Sequence, residues 1–399
     1  MAEFQVGIVL ARPYSRMNRA PSPVIHEVLP SEVLAVIFEE HAKCEWSAPA
    51  IDGQVCRFWR RFVLATPRAW RYLEIPQYGH KQPSIMELRS WLKRSGTVSL
   101  HIRVCMDMCT VYDLLSSCHT RIASLRMDTA TPSFFEGLEF PCLRLLDITE
   151  WYPLDGYSTT IHFRSSPELR FLRIGHIWPP ASKDPHFKHS VVALNDLTSL
   201  ETLVLGRTTC TSLTKHSLSL TTLMLVAVSF GDKIPSPVDF PSLTYLSLSK
   251  VSGLKSHINA PCLATYHEGA DTIHESFSTP LPSVVEYGLY DPDLGHSDPT
   301  KWHSSFPNIS RLAIRATPHV LITLLDTLST HRSLLALRAI SVGSVRKSIQ
   351  LTKDEKRTVE RLVGARSDAY HMNIALYFEE APPFQIPIRF GVVSHRTIR

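Results

Sequence analysis

The chain has 399 residues, of which 44% are hydrophobic and 20% are charged, and its formal net charge is +5. This length accommodates two or three ordinary domains, or one small domain followed by a repeat array. A small net charge without a block of like charges gives no reason to expect nucleic acid as a partner. No apolar run approaches the roughly 20 residues of a membrane helix, so we expect no membrane contact.

Eight cysteines occur, and they fall among apolar residues without the paired spacing of metal ligands. The nearest approach to a cluster is Cys105, Cys109 and Cys118 with His119. We interpret these residues as free thiols and expect no metal site. The chain also lacks the charge pattern of a secretory signal, so we expect a reducing compartment, either the cytoplasm or the nucleus.

Motifs that carry chemistry are missing from the sequence. It contains no G-x-S-x-G, no H-E-x-x-H and no glycine loop that could cradle a phosphate. The histidines are scattered, and none has the spacing that would orient a general base. We therefore expect a protein that is not an enzyme, with no catalytic residues and no cofactor.

Residues 23–76 carry the strongest local signal, after an N-terminal tail, residues 1–22, that we expect to be disordered. A first helix opens at Leu29-Pro30, and its apolar residues fall on one stripe: Val33, Leu34, Ile37 and Phe38. A second helical run begins at Val55 and stops before Pro67. Such short helices bury only a thin core, so some large apolar side chains should stay exposed until a partner covers them. The alternative is a helical cap on a larger domain.

This order of elements, Leu-Pro, amphipathic helix and a Val-Cys-Arg-Phe-Trp run, resembles the F-box, in particular the F-box-like domains common in fungal proteins. The resemblance implies a substrate-recognition adaptor of a Skp–cullin–F-box (SCF) type ubiquitin ligase, which binds a Skp-family adaptor and, through it, a cullin. It implies adaptor contacts from Leu29, Pro30, Leu34, Ile37, Val55, Cys56 and Trp59. The span Glu39 to Gln54 departs from the compact family pattern.

Residues 77–104 read as a connecting helix and strand. Ser84 and Glu87 have the spacing of a capping box, and Gly96 ends the helix. Val98, Leu100, Ile102 and Val104 then alternate as a strand.

Residues 105–390 contain a recurring phrase, Pro-x-Leu-x-x-Leu-x-Leu, with its clearest copy at Pro241 to Leu248. The first apolar positions of the copies are 122, 143, 169, 200, 220, 243, 263, 284, 309 and 334. The shortest steps, from 200 to 220 and from 243 to 263, are 20 residues and the longest, from 169 to 200, is 31. Most steps are close to the period of leucine-rich repeats. Each phrase predicts a short strand, and stacked copies predict a parallel sheet.

The predicted fold is therefore α/β: a small N-terminal helical F-box-like domain followed by an irregular leucine-rich-repeat solenoid with a parallel sheet. The asparagine ladder of many such repeats is absent. An ordinary α/β domain with leucine-rich strands is the alternative. Helices are predicted over residues 317–329 and from Thr352, followed by a strand over residues 374–378 and a disordered tail, residues 391–399.

In each predicted strand, the residues between the inward leucines face outward. On this face we expect target contacts from Phe171, Arg173, Tyr245, His267 and Arg311, since aromatic and arginine side chains contribute most to interface energy. The alternative is that they only cover their neighbours. A second reading of the whole chain is a non-catalytic leucine-rich-repeat scaffold that binds proteins outside a cullin ligase. The identity of the target protein is not encoded in any motif.

Overall fold

The structure is a computed structural model. It describes residues 29–75, 83–105, 111–130, 135, 138–151, 160–162, 166–175, 190–193, 197–210, 213, 218–230, 237–269, 276–289, 302, 304–315, 317–330, 334–343, 351–370 and 374–379. The predicted tails, residues 1–22 and 391–399, lie outside these ranges. The chain forms two compact units, Met1–Ala69 and Trp70–Arg399. The domain boundaries expected at 76 and 104 stay predictions.

The described part of the first unit contains three helices, α1 (Ser31–Cys44), α2 (Ala48–Val55) and α3 (Arg57–Leu64). Pro30 directly precedes α1, as expected. Helix α2 was not expected, and it falls in the span that departs from the F-box pattern. Val55 ends this helix instead of opening the next one, because the backbone is extended at Cys56 (φ −158°). The available signal for α2 was Pro49, which lies in its first turn.

The second unit is a parallel-sheet solenoid, which confirms the predicted α/β class. Its main sheet has 13 strands in the order β1-β2-β3-β4-β6-β8-β10-β13-β15-β16-β17-β18-β19. These strands are β1 (Tyr72–Ile75), β2 (Leu100–Val104), β3 (Ile122–Ala130), β4 (Leu145–Trp151), β6 (Phe171–Ile174), β8 (Thr202–Gly206), β10 (Thr222–Val226), β13 (Tyr245–Ser249), β15 (Thr265–Glu268), β16 (Glu286–Leu289), β17 (Arg311–Arg315), β18 (Ala339–Gly343) and β19 (Ala375–Glu379).

Two smaller parallel sheets accompany the main one, and neither was predicted. One joins β5 (Thr160–His162), β7 (Ser190–Ala193), β9 (Thr208–Cys210) and β11 (Ser229–Phe230), and the other joins β12 (Val238–Asp239) to β14 (Ile258–Asn259).

The register of the main sheet explains the repeated leucines. Leu146 on β4 lies beside Leu172 on β6, and Leu223 on β10 lies beside Leu246 on β13. All of these side chains are buried. The apolar residue at the start of most phrases is also buried, in a turn before its strand, where for example the Leu143 N–H donates to the Phe140 carbonyl at 3.1 Å. Stacking the strands therefore buries a continuous apolar layer that no single repeat could bury alone.

The last repeat is shifted relative to its predicted position. Leu337 occupies the turn position, since its N–H donates to the Leu334 carbonyl at 3.0 Å and β18 pairs with β17 in the register that puts Arg311 beside Ala339. The predicted first apolar position of this repeat, Leu334, was therefore wrong, and the correct position is Leu337. Both leucines are buried, so the apolar pattern could not distinguish them.

Residues in the left-handed conformation directly follow several strands: Gly175 (φ 91°), Arg207 (φ 52°), Ala227 (φ 53°) and Lys250 (φ 55°). The N–H groups of Gly175, Arg207 and Ala227 still donate to a neighbouring strand, as from Ala227 to the Ser249 carbonyl at 2.7 Å. The chain thus turns out of the sheet in the same way at successive strands.

Four helices of the second unit are described, α4 (Ile85–Arg94), α5 (Tyr112–Ser116), α6 (Pro318–Thr330) and α7 (Lys353–Tyr370). The predicted capping box on α4 is confirmed: Ser84 Oγ accepts from the Glu87 N–H, and Glu87 Oε2 accepts from the Ser84 N–H. Buried Arg366 on α7 donates to the carbonyls of Leu328 and Leu334, near the carboxyl end of α6.

A buried ion pair lies in the core of the solenoid. Lys255 Nζ is 2.7 Å from Glu268 Oε2, and the hydroxyls of Tyr266 and Tyr287 also donate to this carboxylate. The Tyr266 ring also lies 5.1 Å from that of Phe277.

Within the described ranges, no helix combines the length and the apolar composition that crossing a membrane requires.

Candidate functional site

The helical unit has a small aromatic core centred on Phe38. The Trp59 ring contacts it edge-on with the centroids 5.0 Å apart, and the Phe62 ring lies 5.8 Å away. Leu34, one turn before Phe38, is buried with it. Polar links join the helices: His41 Nδ1 lies 3.2 Å from the Asp52 carboxylate, and Arg60 Nε donates to the Gly53 carbonyl at 2.8 Å. These contacts tie α1 to α2 and α2 to α3.

The same helices expose several large apolar side chains, which we call the apolar surface: Val33, Val36, Ile37, Ile51, Val55, Phe58 and Leu64. Their exposed fractions run from 41% for Phe58 to 60% for Val55. Spacings of three and four residues place those of α1 on one helix face and those of α2 on another. Exposed apolar groups were expected here, but of this set only Ile37 and Val55 were assigned to adaptor binding.

The residues assigned to adaptor binding divide into two groups. Pro30, Ile37 and Val55 are exposed. The remaining four have contacts within the unit: Leu34 is buried, Leu29 is half-buried, half-buried Trp59 packs on Phe38, and Cys56 caps α3 by accepting from the Trp59 N–H at 3.4 Å. An apolar stripe alone could not separate core from surface, because a short helix presents both at adjacent positions.

The outward face of the main sheet carries a row of charged side chains on β1 to β4 and β6. The register places them side by side, and we call the row the charge ladder: Glu74, Arg103, Arg126, Asp147 and Arg173. Arg103 Nη1 is 3.7 Å from Glu74 Oε1, and Arg173 Nε is 2.5 Å from Asp147 Oδ1. Of these five residues, only Arg173 was expected to bind a target.

Phe171 lies two residues before Arg173 and also faces outward by register, between Leu145 and Thr202. It is almost fully buried. The outward residues Val204 on β8 and Met224 on β10 are buried as well. An outward position in the strand pattern therefore does not make a side chain accessible.

A second polar group, which we call the polar network, lies further along this face and consists of Tyr245, His267 and Glu286. Tyr245 Oη is 2.9 Å from His267 Nδ1, and His267 Nε2 is 3.7 Å from Glu286 Oε1. Gly288 lies beside His267 in the register, and a Cβ there would meet the His267 ring at 2.4 Å. The network brings predicted Tyr245 and His267 together, and exposed Arg311 is beside Glu286.

The polar network does not have the features of a nucleophilic site. His267 is buried, and so is Ser247, its neighbour on β13. Burial raises the pKa of the Tyr245 hydroxyl, with Glu286 adding to the rise and a hydrogen bond to Ser247 opposing it. A catalytic hydroxyl needs access to substrate and a lowered pKa. In the described part of the chain, no group of three or more His, Cys, Asp or Glu side chains could hold a metal ion.

Glu286 should make the stability of the solenoid depend on pH. The His267 imidazole, 3.7 Å away, lowers the pKa of this carboxyl group, burial opposes the shift, and the charge of Arg311 adds to it. Because the folded-state pKa is lower than the unfolded one, this stabilisation is present above the unfolded value of about 4.3 and is lost as pH falls through the folded value. Urea unfolding of wild type and Glu286→Gln should show a difference at pH 6 that shrinks toward pH 3.

The matched variant is His267→Gln, which removes the imidazole but keeps Glu286. Its loss of stability on acidification should be smaller than in wild type, because the folded-state pKa of Glu286 then lies closer to the unfolded value. A difference between wild type and Glu286→Gln that stays constant with pH would contradict the assignment.

The chain matches no protein-family model, and neither a curated protein nor a solved structure matches it.

Proposed function

We propose that this chain is the substrate-recognition adaptor of a Skp–cullin–F-box type ubiquitin ligase. In this proposal the unit of α1 to α3 is an F-box-like domain that binds a Skp-family adaptor and, through it, a cullin. The outward face of the solenoid, as a leucine-rich-repeat domain, binds a protein target. No catalytic group is needed, since holding the target beside a ubiquitin carrier raises the local concentration of its lysines. The proposed location is the cytoplasm or the nucleus.

The observation that carries the proposal is the apolar surface. Seven large apolar side chains of the helical unit are each at least 41% exposed. Burying one such side chain fully contributes about 1.5 to 3 kcal/mol, so leaving several exposed forgoes a large stabilisation that a partner can recover. Five of the seven exposed side chains lie on α1 and α3, the helices that the F-box resemblance assigns to the adaptor. The cysteines agree with a reducing compartment, because all seven that the structure describes are free.

The test introduces charge into the apolar surface without touching the aromatic core. Ile37 and Val55 are 44% and 60% exposed, so Ile37→Glu with Val55→Glu should leave the unit folded. We expect the double variant to bind a Skp-family adaptor at least about 100-fold more weakly than wild type, because two carboxylates would be desolvated in an apolar interface. Titration calorimetry with the purified adaptor measures this. Trp59 is a poor choice for mutation, since its loss would damage the contact with Phe38.

The control variant is Leu218→Glu, which places the same charge on a leucine of the solenoid that is 70% exposed. It should bind the adaptor like wild type. Equal binding by the double variant and wild type would reject the assigned surface.

A second candidate function is a protein-binding scaffold that acts outside a cullin ligase. The parallel-sheet solenoid favours it, because stacked repeats offer an extended surface for protein partners whether or not a ligase is attached. A wild-type chain that does not bind the Skp-family adaptor would remove the ligase proposal and leave this one. A chain that binds the adaptor but does not recruit a cullin would also favour the scaffold over the ligase.

A further inference from the structure

The charge ladder contains one more positive than negative charge, and the excess lies at Arg126. Its three arginines face two carboxylates, and each carboxylate is paired with an arginine at one end of the row: Glu74 with Arg103, and Asp147 with Arg173. Arg126 lies between Arg103 and Asp147 in the register. Among the described residues, no carboxylate lies within ion-pair distance of Arg126. One positive charge of the row is therefore left without a direct partner.

The surroundings of Arg126 make this charge costly. Its side chain is half-buried. Burial lowers the pKa of the Arg126 guanidinium, Asp147 acts in the opposite direction, and the positive charges of Arg173 and Arg103 lower it further. A charged group that has lost part of its water is stabilised by a nearby ion of opposite sign. The next acid along β3, Asp128, helps to raise the pKa of the Cys105 thiol.

Neighbouring strands of a sheet lie about 4.8 Å apart. Arg103 and Arg126 are aligned on adjacent strands, so their guanidinium groups can reach a common acceptor placed above the sheet. A guanidinium binds the two oxygens of a carboxylate through a pair of parallel hydrogen bonds. Two arginine side chains at this strand spacing can therefore bind the same carboxylate.

We infer that Arg126, supported by Arg103, binds the carboxylate of an aspartate or glutamate in an acidic segment of the target protein. The inference rests on the proposed function, in which the outward face of the solenoid binds a protein target. The charge count favours a carboxylate over a phosphate. One carboxylate neutralises the single surplus charge of the row, whereas a phosphate dianion would add excess negative charge between Glu74 and Asp147.

The experiment uses the full chain and three fluorescein-labelled peptides built on one glycine-serine frame, with glutamate, glutamine or phosphoserine at the same positions. Fluorescence anisotropy measures binding. We expect saturable binding of the glutamate peptide and weaker binding of the other two. Arg126→Gln should weaken binding of the glutamate peptide by about tenfold or more. Arg126→Lys keeps the charge but cannot donate the pair of parallel hydrogen bonds, so it should weaken binding by an intermediate factor.

Two further variants serve as checks. Arg103→Gln, at a side chain that is 43% exposed, should also weaken binding. This variant keeps the test decisive if Arg126→Gln disturbs folding. Arg144→Gln is the matched control, because Arg144 is a surface arginine, 65% exposed, that pairs with Glu168 outside the charge ladder. It should bind the glutamate peptide like wild type.

Equal binding of the glutamate and glutamine peptides would overturn the inference, as would wild-type affinity in both Arg126→Gln and Arg103→Gln. Tighter binding of the phosphoserine peptide would overturn the choice of a carboxylate. The readout is independent of the Skp-family adaptor. Loss of adaptor binding with retained, Arg126-dependent peptide binding would reject the ligase proposal alone, and the reverse result would reject only the carboxylate site.

Discussion

Replacing Glu268 by glutamine should lower the free energy of unfolding by about 3 to 5 kcal/mol, because it leaves the buried ammonium of Lys255 without its counter-charge. Lys255 and Glu268 are 6% and 3% exposed, so water cannot replace the lost carboxylate. The hydroxyls of Tyr266 and Tyr287 also lose a charged acceptor. Urea unfolding followed by circular dichroism measures the change.

Two variants test the cause. Adding Lys255→Met to Glu268→Gln removes the uncompensated charge, so the double variant should recover most of the lost stability. Glu168→Gln breaks an ion pair of similar length, 2.9 Å, whose side chains are 65% and 50% exposed. It should cost less than about 1 kcal/mol, because water screens this pair. A double variant that is no more stable than Glu268→Gln alone would show that packing, and not charge, sets the loss.

Gly175→Ala should destabilise the solenoid by about 3 to 5 kcal/mol, combining backbone strain with a steric clash. Gly175 has a φ of 91°, which side-chain-bearing residues rarely adopt, and a Cβ there would lie 2.0 Å from the carbonyl oxygen of Gly206. The obstacle is backbone of the next strand, so relief requires β6 and β8 to move apart. Thermal and urea unfolding of the full chain measure the loss.

The control for Gly175 is Gly364→Ala on α7. A Cβ at Gly364 meets nothing within 4 Å, and alanine favours a helix by up to about 1 kcal/mol over glycine. Gly364→Ala should therefore be neutral or stabilising. A Gly175→Ala variant within 1 kcal/mol of wild type would mean that the turn after β6 adapts easily.

The strands of the solenoid were predictable because their signal is local. The phrase beginning at Pro241 contains a turn residue, a buried leucine and two inward leucines in eight residues, and the same order recurs along the chain. The caps at Ser84 and Thr352 were predictable for the same reason, since each partner lies three residues away. In these cases the sequence alone contains both members of the interaction.

Features that depend on pairing between distant residues could not be predicted. Glu268 sits at an inward position of β15 where other strands place leucine or isoleucine, and only the approach of Lys255 accounts for it. The charge ladder is also invisible along the chain, because Arg126 and Asp147 become neighbours only through the register of β3 and β4. Burial of Phe171 and His267 was likewise missed, because strand alternation gives direction and not accessibility.

Val204 and Met224 separate the charge ladder from the polar network, and both are buried apolar residues on strands between the two. Neither Val204 nor Met224 carries a charge, so no ion pair connects the charge ladder to the polar network through these two positions. Since each strand pairs only with the strand on either side, the two groups also share no backbone contact. Substitutions in the charge ladder should therefore leave the contacts of the polar network unchanged, and substitutions in the polar network should leave those of the charge ladder unchanged.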